Sequence, residues 1–388
     1  MIDALYIATS LALAIWIYLL AFRDGFWRAD QVLAGSTDAS GPRVVAVVPA
    51  RNEADGIERA VDSLLRQDYR PPLTVVLVDD ESDDETATIA RKAARRCDAE
   101  DRLVIIPGAS RPAGWTGKMW AVSQGVDAAS MLAPDYLLLT DADIAHDRAN
   151  LRALVAQAER GRYDLVSLMV RLHCRSFAER LLIPAFVFFF QKLYPFAAVN
   201  DPNKAIAAAA GGCMLVRARA LARAGGIASI RDALIDDCAL ARRIKAGGAV
   251  WLGLTGTTVS LRSYADIGPI WRMVARSAYN QLGYSPLMLI VTVIGLVVTY
   301  VTPPVAIIVG IATGNWIAVA LGAMVWILMA VAYRPTLRLY ALSPFWAAAL
   351  PVAAFLYMLM TLDSAWRHGR GRGGAWKGPP WTVRSRIA

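Results

Sequence analysis

The sequence predicts a doubly wound, mostly parallel α/β sheet set between an apolar N-terminal helix and a group of apolar C-terminal helices. Three observations predict it. Short β-branched runs alternate with stretches of helical period from Arg43 to about Leu261. Uncharged apolar segments of membrane-spanning length flank that region on both sides. Of the 388 residues, 56% are hydrophobic and 19% charged, too apolar for a wholly soluble chain and too charged for a bundle of spans alone.

The N-terminal segment Ala4 to Phe22 is uncharged and long enough to cross a bilayer. Asp3 precedes it, and Arg23 and Arg28 follow it. Residues 1–28 are expected to be an anchor in the inner (cytoplasmic) membrane, and the positive-inside rule turns the N-terminus outward and sends everything after Arg23 into the cytoplasm. A signal peptide would show a basic start and a small-residue cleavage site, and neither is present.

One large domain is expected over residues 43–265. Arg43–Val48 is a β-branched run ending at Pro49, after which Ile57, Ala60, Val61, Leu64 and Leu65 recur at helical spacing. Leu73–Val78 is the next strand, followed by a helix from Thr86 and a short strand Leu103–Ile106. A helix over Trp120–Ala129 leads to a strand Tyr136–Thr140, and Leu165–Val170 and Met214–Val216 complete the expected strands. Leu181–Val199 is apolar but contains Pro184, Gln191 and Lys192; it reads as an interfacial or re-entrant helix, with ordinary core as the alternative.

Residues 266–285 carry Trp271, Val274, Ala275, Ala278, Tyr279 and Leu282 on one face, the stripe of an amphipathic helix lying on a membrane. Three apolar segments come next within 286–363: about Pro286–Val309, Trp316–Tyr333 and Leu342–Leu362. A basic tail, 364–388, closes the chain with Arg367, Arg370, Arg372, Lys377, Arg384 and Arg386. A full crossing by the last apolar segment would put that tail outside, against the charge rule. Pro303, Pro304 and Pro351 leave room for a hairpin or re-entrant arrangement instead.

The net charge of +9 is read as juxtamembrane Lys and Arg meeting anionic lipid, because no zinc finger or aromatic-basic signature points to nucleic acid. Cys97, Cys174, Cys213 and Cys238 are scattered without a C-x-x-C and read as reduced packing residues. His146, His173 and His368 have no ligand spacing, which disfavours a histidine metal site.

The residues with chemistry gather at strand ends. Tyr136–Thr140 stops on Asp141-Ala142-Asp143, two carboxylates one residue apart at the edge where open α/β sheets bind ligands. Mg²⁺ or Mn²⁺ typically takes one or two such carboxylates and completes its shell with substrate phosphates. Val47–Glu53 is a strand, a polar turn (Pro49, Ala50, Arg51, Asn52, Glu53) and a helix start, and it contains no G-x-G-x-x-G loop. Val75–Val78 ends on Asp79-Asp80, where a carboxylate can accept hydrogen bonds from a base or ribose; Ser82, Asp83 and Asp84 read as helix caps.

In this order, Pro49-Ala50-Arg51-Asn52-Glu53, Asp79-Asp80-Glu81-Ser82 and Asp141-Ala142-Asp143 resemble the family 2 glycosyltransferases of the GT-A fold. The resemblance runs from about Arg43 to Ser285. It takes in Gly114-Trp115-Thr116-Gly117-Lys118, similar to an element of the ceramide-glucosyltransferase-like branch, Gly211–Arg217, similar to the acceptor-side glycine strand, and the acidic pair in Ile235–Arg243. Residues 210–217, 234–241 and 271–276 look most like the hopanoid-biosynthesis-associated glycosyltransferases.

The resemblance implies that Asp80 binds the nucleoside of a nucleotide-sugar donor, with a lean to UDP, and that Asp143 with Asp141 holds the metal. It implies a general base at Asp237 with Asp236 beside it, donor contacts from Pro49, Ala50, Arg51, Glu53 and Lys118, and acceptor-side roles for Gly211, Gly212 and Arg276. A single base without a covalent nucleophile implies inversion at the anomeric carbon. Processive members carry Gln/Arg-x-x-Arg-Trp on the interfacial helix; Met273–Ser277 keeps only Arg276, which argues against polymer synthesis. The expected activity is transfer of one sugar to a membrane lipid. The alternative is a silent sugar-nucleotide-binding scaffold of a lipid-synthesis complex.

Overall fold

The computed structural model describes residues 2–371, so Arg372, Lys377, Arg384 and Arg386 of the expected tail lie outside the described residues. Among the described residues, eight strands form one sheet. They are β1 (Val44–Ala50), β2 (Thr74–Asp79), β3 (Leu103–Pro107), β4 (Tyr136–Thr140), β5 (Ile144–Ala145), β6 (Tyr163–Arg171), β7 (Cys213–Arg217) and β8 (Ala249–Ser260). Their order is β3-β2-β1-β4-β7-β6-β8-β5.

The β3-β2-β1-β4 half is wholly parallel, as the alternation of strand and helix requires. The other half is mixed: β7 runs antiparallel to β4 and β6, β5 antiparallel to β8, and β6 parallel to β8. The sequence reading ends its strands at β7. Strand β8 escapes it because Gly253, Gly256 and a threonine run break the apolar pattern of Ala249–Ser260. Pairing with β6 supplies what local pattern does not. Gly253 has a steric reason, since a Cβ there would stand 2.0 Å from the Trp251 ring.

Side chains of β1 alternate between two cores, as the strand period dictates. Val44, Ala46 and Val48 join one core with Ile57, Val61, Leu64 and Leu65 of helix Ile57–Leu65. Val45 and Val47 join the other, which continues through Leu182, Phe188 and Leu240 into Tyr300, Met329, Tyr333 and Leu350 of the apolar C-terminal helices. One face of the sheet is therefore covered, in successive layers, by helix Phe177–Leu193 and the apolar C-terminal helices.

Four described helices are long and apolar enough to cross a membrane: Asp3–Phe22, Pro286–Thr313, Trp316–Leu339 and Pro344–Gly369. The first three pack together. Tyr6 donates to Asn315 Oδ1 at 2.5 Å, and Trp16 Nε1 to the Thr299 carbonyl at 3.0 Å. That carbonyl is free because Pro303, four residues on, has no N–H, and a π-helical turn occupies Val297–Val301.

The fourth behaves differently, since both of its ends meet elements of the α/β region. Trp346 packs on Phe177 at 5.5 Å between ring centroids. Tyr357 donates to the Leu182 carbonyl at 3.0 Å, and Asp363 accepts from Trp271 Nε1 at 2.6 Å. The helix runs on to Gly369, so the first residues expected in the basic tail form its final turn.

These contacts revise two expectations. Helix Ile267–Gln281, capped by Asp266, buries Ile270, Val274, Ala275 and Tyr279, and Trp271 and Tyr279 bond to Asp363 and Ser364. The part of the stripe carrying Val274, Ala275 and Tyr279 thus packs within the protein, against helix Pro344–Gly369. Helix Phe177–Leu193 is likewise buried through Leu182, Ile183, Ala185, Val187 and Phe188. Packing between the sheet and the apolar helices accounts for its hydrophobicity better than lipid contact.

Candidate active site

Parallel pairing brings the ends of β1, β2 and β4 to one edge. Ala50 stands opposite Asp79, and Val47 opposite Leu139, so Arg51, Asp80 and Asp141 emerge side by side. Because β7 enters from that edge antiparallel to β4, with Cys213 opposite Thr140, Gly211 and Gly212 arrive beside Asp141 from the other direction. The motifs resemble a family when read in sequence; the topology turns them into one rim.

The rim around Arg51 and Asp80 is zipped by hydrogen bonds between two loops. Asn52 N donates to Ser82 Oγ at 3.0 Å, Asp83 N to Asn52 Oδ1 at 2.8 Å, Glu53 N to Thr86 Oγ1 at 2.9 Å and Ala54 N to Asp84 Oδ2 at 3.1 Å. Asp84 also accepts from Thr86 N, so the residues expected only to cap the helix cross-link the rim as well. Asn52 and Glu81 both have positive φ, at 52° and 54°. Asn tolerates that region; for Glu81 it marks a strained turn immediately after Asp80. Asp80 is buried, with Arg51 Nη1 3.5 Å from its carboxylate. Burial pushes its carboxyl up and the Arg51 guanidinium restrains that rise. Gly108 lies against it so closely that a Cβ would come within 2.9 Å of Asp80 Cα.

Lys118 joins the two halves. It lies in the first turn of helix Gly117–Ser130, whose cap is Thr116. Its Nζ is 3.0 Å from Asp141 Oδ1 and 3.2 Å from Asp236 Oδ2, and the side chain is 20% exposed. A solvated surface lysine would be free of both. Burial opposes its charge, but Asp141 and Asp236 outweigh burial and hold it as ammonium.

Asp236 and Asp237 open helix Asp236–Lys245, where the helix dipole favours carboxylates. Asp237 accepts from Gly211 N at 2.9 Å and from Cys238 N at 2.7 Å. Each oxygen keeps a further acceptor direction. Burial first, and the neighbouring Asp236 charge second, push the Asp237 carboxyl up to about 6. A carboxylate in that range can accept a proton near neutrality. A Cβ on Gly211 would stand 3.4 Å from Lys118 Nζ and 3.6 Å from Asp237 Oδ2, so a larger residue there fills the floor of the cleft.

Asp143 and Asp141 are partly exposed, hard oxygen donors at the rim. Among the described residues no group of three or more His, Cys, Asp or Glu could hold a metal ion. Two carboxylates suit Mg²⁺ or Mn²⁺ that takes its remaining ligands from a diphosphate and water, and do not suit a structural zinc. Each already has a cationic partner, Lys118 for Asp141 and Arg262 for Asp143, the latter with Nε 2.8 Å from Oδ2. Arg262 also reaches Glu53, with Nη2 3.2 Å from Oε1. Sequence reasoning misses Arg262, because it sits past the unrecognised strand β8 and no spacing rule marks it. Arg276 is exposed on helix Ile267–Gln281 and has no hydrogen bond or ion pair with the Lys118–Asp236–Asp237 cluster. Its acceptor role gains no support from contacts.

A Rossmann-like sheet carrying the buried carboxylate Asp80, an Asp-x-Asp and a buried acidic pair along one edge has the layout of a GT-A type domain. Residues 45–225 match the family model for glycosyl transferase family 2, and this stretch is a family 2 glycosyltransferase domain. Two curated relatives match part of the chain. The 4,4'-diaponeurosporenoate glycosyltransferase of Staphylococcus haemolyticus is 29% identical over 160 residues, covering 41% of this chain and 39% of its own length. An uncharacterized glycosyltransferase of Escherichia coli is 28% identical over 159 residues, covering 40% and 34%. The match thus spans well under half the length of either relative. A mannosyltransferase from Pyrobaculum calidifontis, solved with GDP-Man and Mn²⁺, covers 92% of this chain and 99% of its own at TM-score 0.53. At 20% identity that likeness speaks for the fold alone.

Proposed function

We propose that this protein is an inverting, metal-dependent glycosyltransferase that moves a single sugar from a nucleotide-sugar, a UDP-sugar being favoured, to a membrane lipid at the cytoplasmic face. The observation that carries this reading is Lys118, which ties the donor carboxylate Asp141 to the acidic pair at 3.0 and 3.2 Å and so makes one site of two halves. The hopanoid resemblance suggests a polycyclic lipid acceptor. A relative whose name gives 4,4'-diaponeurosporenoate as its substrate is in keeping with a lipid-type acceptor.

In this reading Asp80 and Arg51 orient the nucleoside. Asp141 and Asp143 would hold a divalent cation, which supplies charge to the departing diphosphate. Lys118 keeps the base adjacent to the donor and adds positive charge beside the phosphates. The acceptor hydroxyl gives its proton to Asp237 as its oxygen bonds to the anomeric carbon from the face opposite the nucleotide. The bond from that carbon to the diphosphate oxygen breaks, and the nucleoside diphosphate leaves.

In this reading three of the four candidate helices cross the membrane: Asp3–Phe22, Pro286–Thr313 and Trp316–Leu339. Helix Pro344–Gly369, tied to the α/β region at both ends, rests against it instead. Arg367 and Arg370 then stay on the side of the catalytic domain, as the positive-inside rule asks. The test of the function is a panel of nucleotide-sugars with Mn²⁺ and total membrane lipid, products read by mass spectrometry. One lipid gaining one sugar mass supports the reading; no lipid product with any donor contradicts it.

A further inference from the structure

Arg262 stands on the short loop leaving β8 for helix Ile267–Gln281, and one guanidinium there spans two donor motifs. Its Nε donates to Asp143 Oδ2 at 2.8 Å and its Nη2 to Glu53 Oε1 at 3.2 Å. The loop is fixed at both ends. Leu261 N donates to the Asp143 carbonyl at 2.7 Å, and Tyr264 N to Glu179 Oε1 at 2.6 Å.

We propose that Arg262 is a donor-site positioning residue that holds Asp143 in the cation-free enzyme and is exchanged for the divalent cation. The inference rests on the reading of Asp141 and Asp143 as the metal-holding pair. A divalent ion and a guanidinium sharing one carboxylate repel each other, so arrival of the ion weakens the Arg262 contact. Exposure decides which partner moves. The Arg262 side chain is 43% exposed, whereas Asp143 and Glu53 are 16% and 17% exposed, so the guanidinium has solvent to swing into and the carboxylates do not. Arginine stays charged at every working pH, so the contact is released by competition from the cation and not by loss of the guanidinium's proton.

Without Arg262, two nearby carboxylates would face each other at the rim with less compensation, a costly arrangement before donor arrives. The guanidinium therefore keeps Asp143 and Glu53 in place while lowering the affinity of the empty site for a free ion. The chain recruits metal most favourably when a diphosphate supplies the remaining ligands.

The test is Mn²⁺ titration of the full-length, detergent-solubilised protein without nucleotide, followed by electron paramagnetic resonance. Arg262→Gln should bind Mn²⁺ about 3- to 10-fold more tightly than the natural protein, the range expected for removing one partly exposed charge-assisted contact. Arg262→Lys, which keeps the charge but not the fork, should fall between. Asp143→Asn should lose the site. Unchanged or weaker Mn²⁺ binding in Arg262→Gln, with binding lost in Asp143→Asn, overturns the exchange while leaving the metal reading intact. Binding that Asp143→Asn leaves untouched overturns the metal reading itself. Should Arg262→Gln not fold, Arg262→Lys decides, and an affinity equal to the natural protein's overturns the proposal.

Discussion

Lys118 Nζ lies 3.0 Å from Asp141 and 3.2 Å from Asp236, so one ammonium couples a carboxylate at the end of a strand to one at the start of a helix almost a hundred residues later. Removing it leaves two half-buried carboxylates uncompensated beside Asp237. Lys118→Gln is therefore expected to lower kcat/KM by about 100-fold, roughly 2.7 kcal/mol of transition-state stabilisation. Steady-state kinetics checks this. A loss below about threefold would mean that Lys118 is a structural tether only.

The raised Asp237 carboxyl sets a pH profile. A base with a pKa of about 6 is ionised above that value and protonated below it. kcat/KM should therefore fall about tenfold per unit as pH drops below 6. Asp236→Asn removes the neighbouring negative charge that helps raise Asp237, and should move this acid limb to lower pH. An unmoved limb would assign the titration to another group.

Glu179 organises the junction between the sheet domain and the membrane-side helices. Its carboxylate accepts from the backbone N–H groups of Arg175, Ser176 and Tyr264 and pairs with His173 at 2.7 Å. Burial works against its charge, but these donors prevail and pull its carboxyl down to about 2. With a folded pKa below the ordinary glutamate value of 4.5, its contribution to stability is complete above that value and fades as pH falls toward 2. Glu179→Ala should cost about 3 kcal/mol, seen as a drop of several degrees in Tm of the solubilised protein.

The arrangement of the last helix predicts where its end is found. A single cysteine introduced at Arg370, in a background with the natural cysteines replaced, should react with a membrane-impermeant maleimide only after the membrane is opened from the cytoplasmic side. Labelling in intact cells would mean that Pro344–Gly369 crosses the bilayer.

Much of the donor half is legible in the sequence because its signals are local. Tyr136–Thr140 is a continuous apolar run ending on carboxylates, and the structure gives β4 the same bounds. Ile57, Ala60, Val61, Leu64 and Leu65 are the buried residues of their helix, as their spacing predicts. The features that escape depend on partners far along the chain. Strand β8 is held by β6 despite its glycines, and with β8 goes Arg262, whose meaning lies in reaching Asp143 and Glu53. The stripe on Ile267–Gln281 is real, but an apolar face looks the same in sequence whether lipid or the helix of Tyr357 and Asp363 covers it.

The role proposed for Asp237 is to take the acceptor proton in a site whose donor half works without it. The measurement is a pair on one variant, Asp237→Asn: calorimetric binding of nucleotide-sugar with Mn²⁺, and single-turnover transfer to membrane lipid followed by mass spectrometry. Donor affinity should stay within about threefold of the natural protein and transfer should fall by at least about 1,000-fold. Transfer at the natural rate with donor bound normally would contradict it.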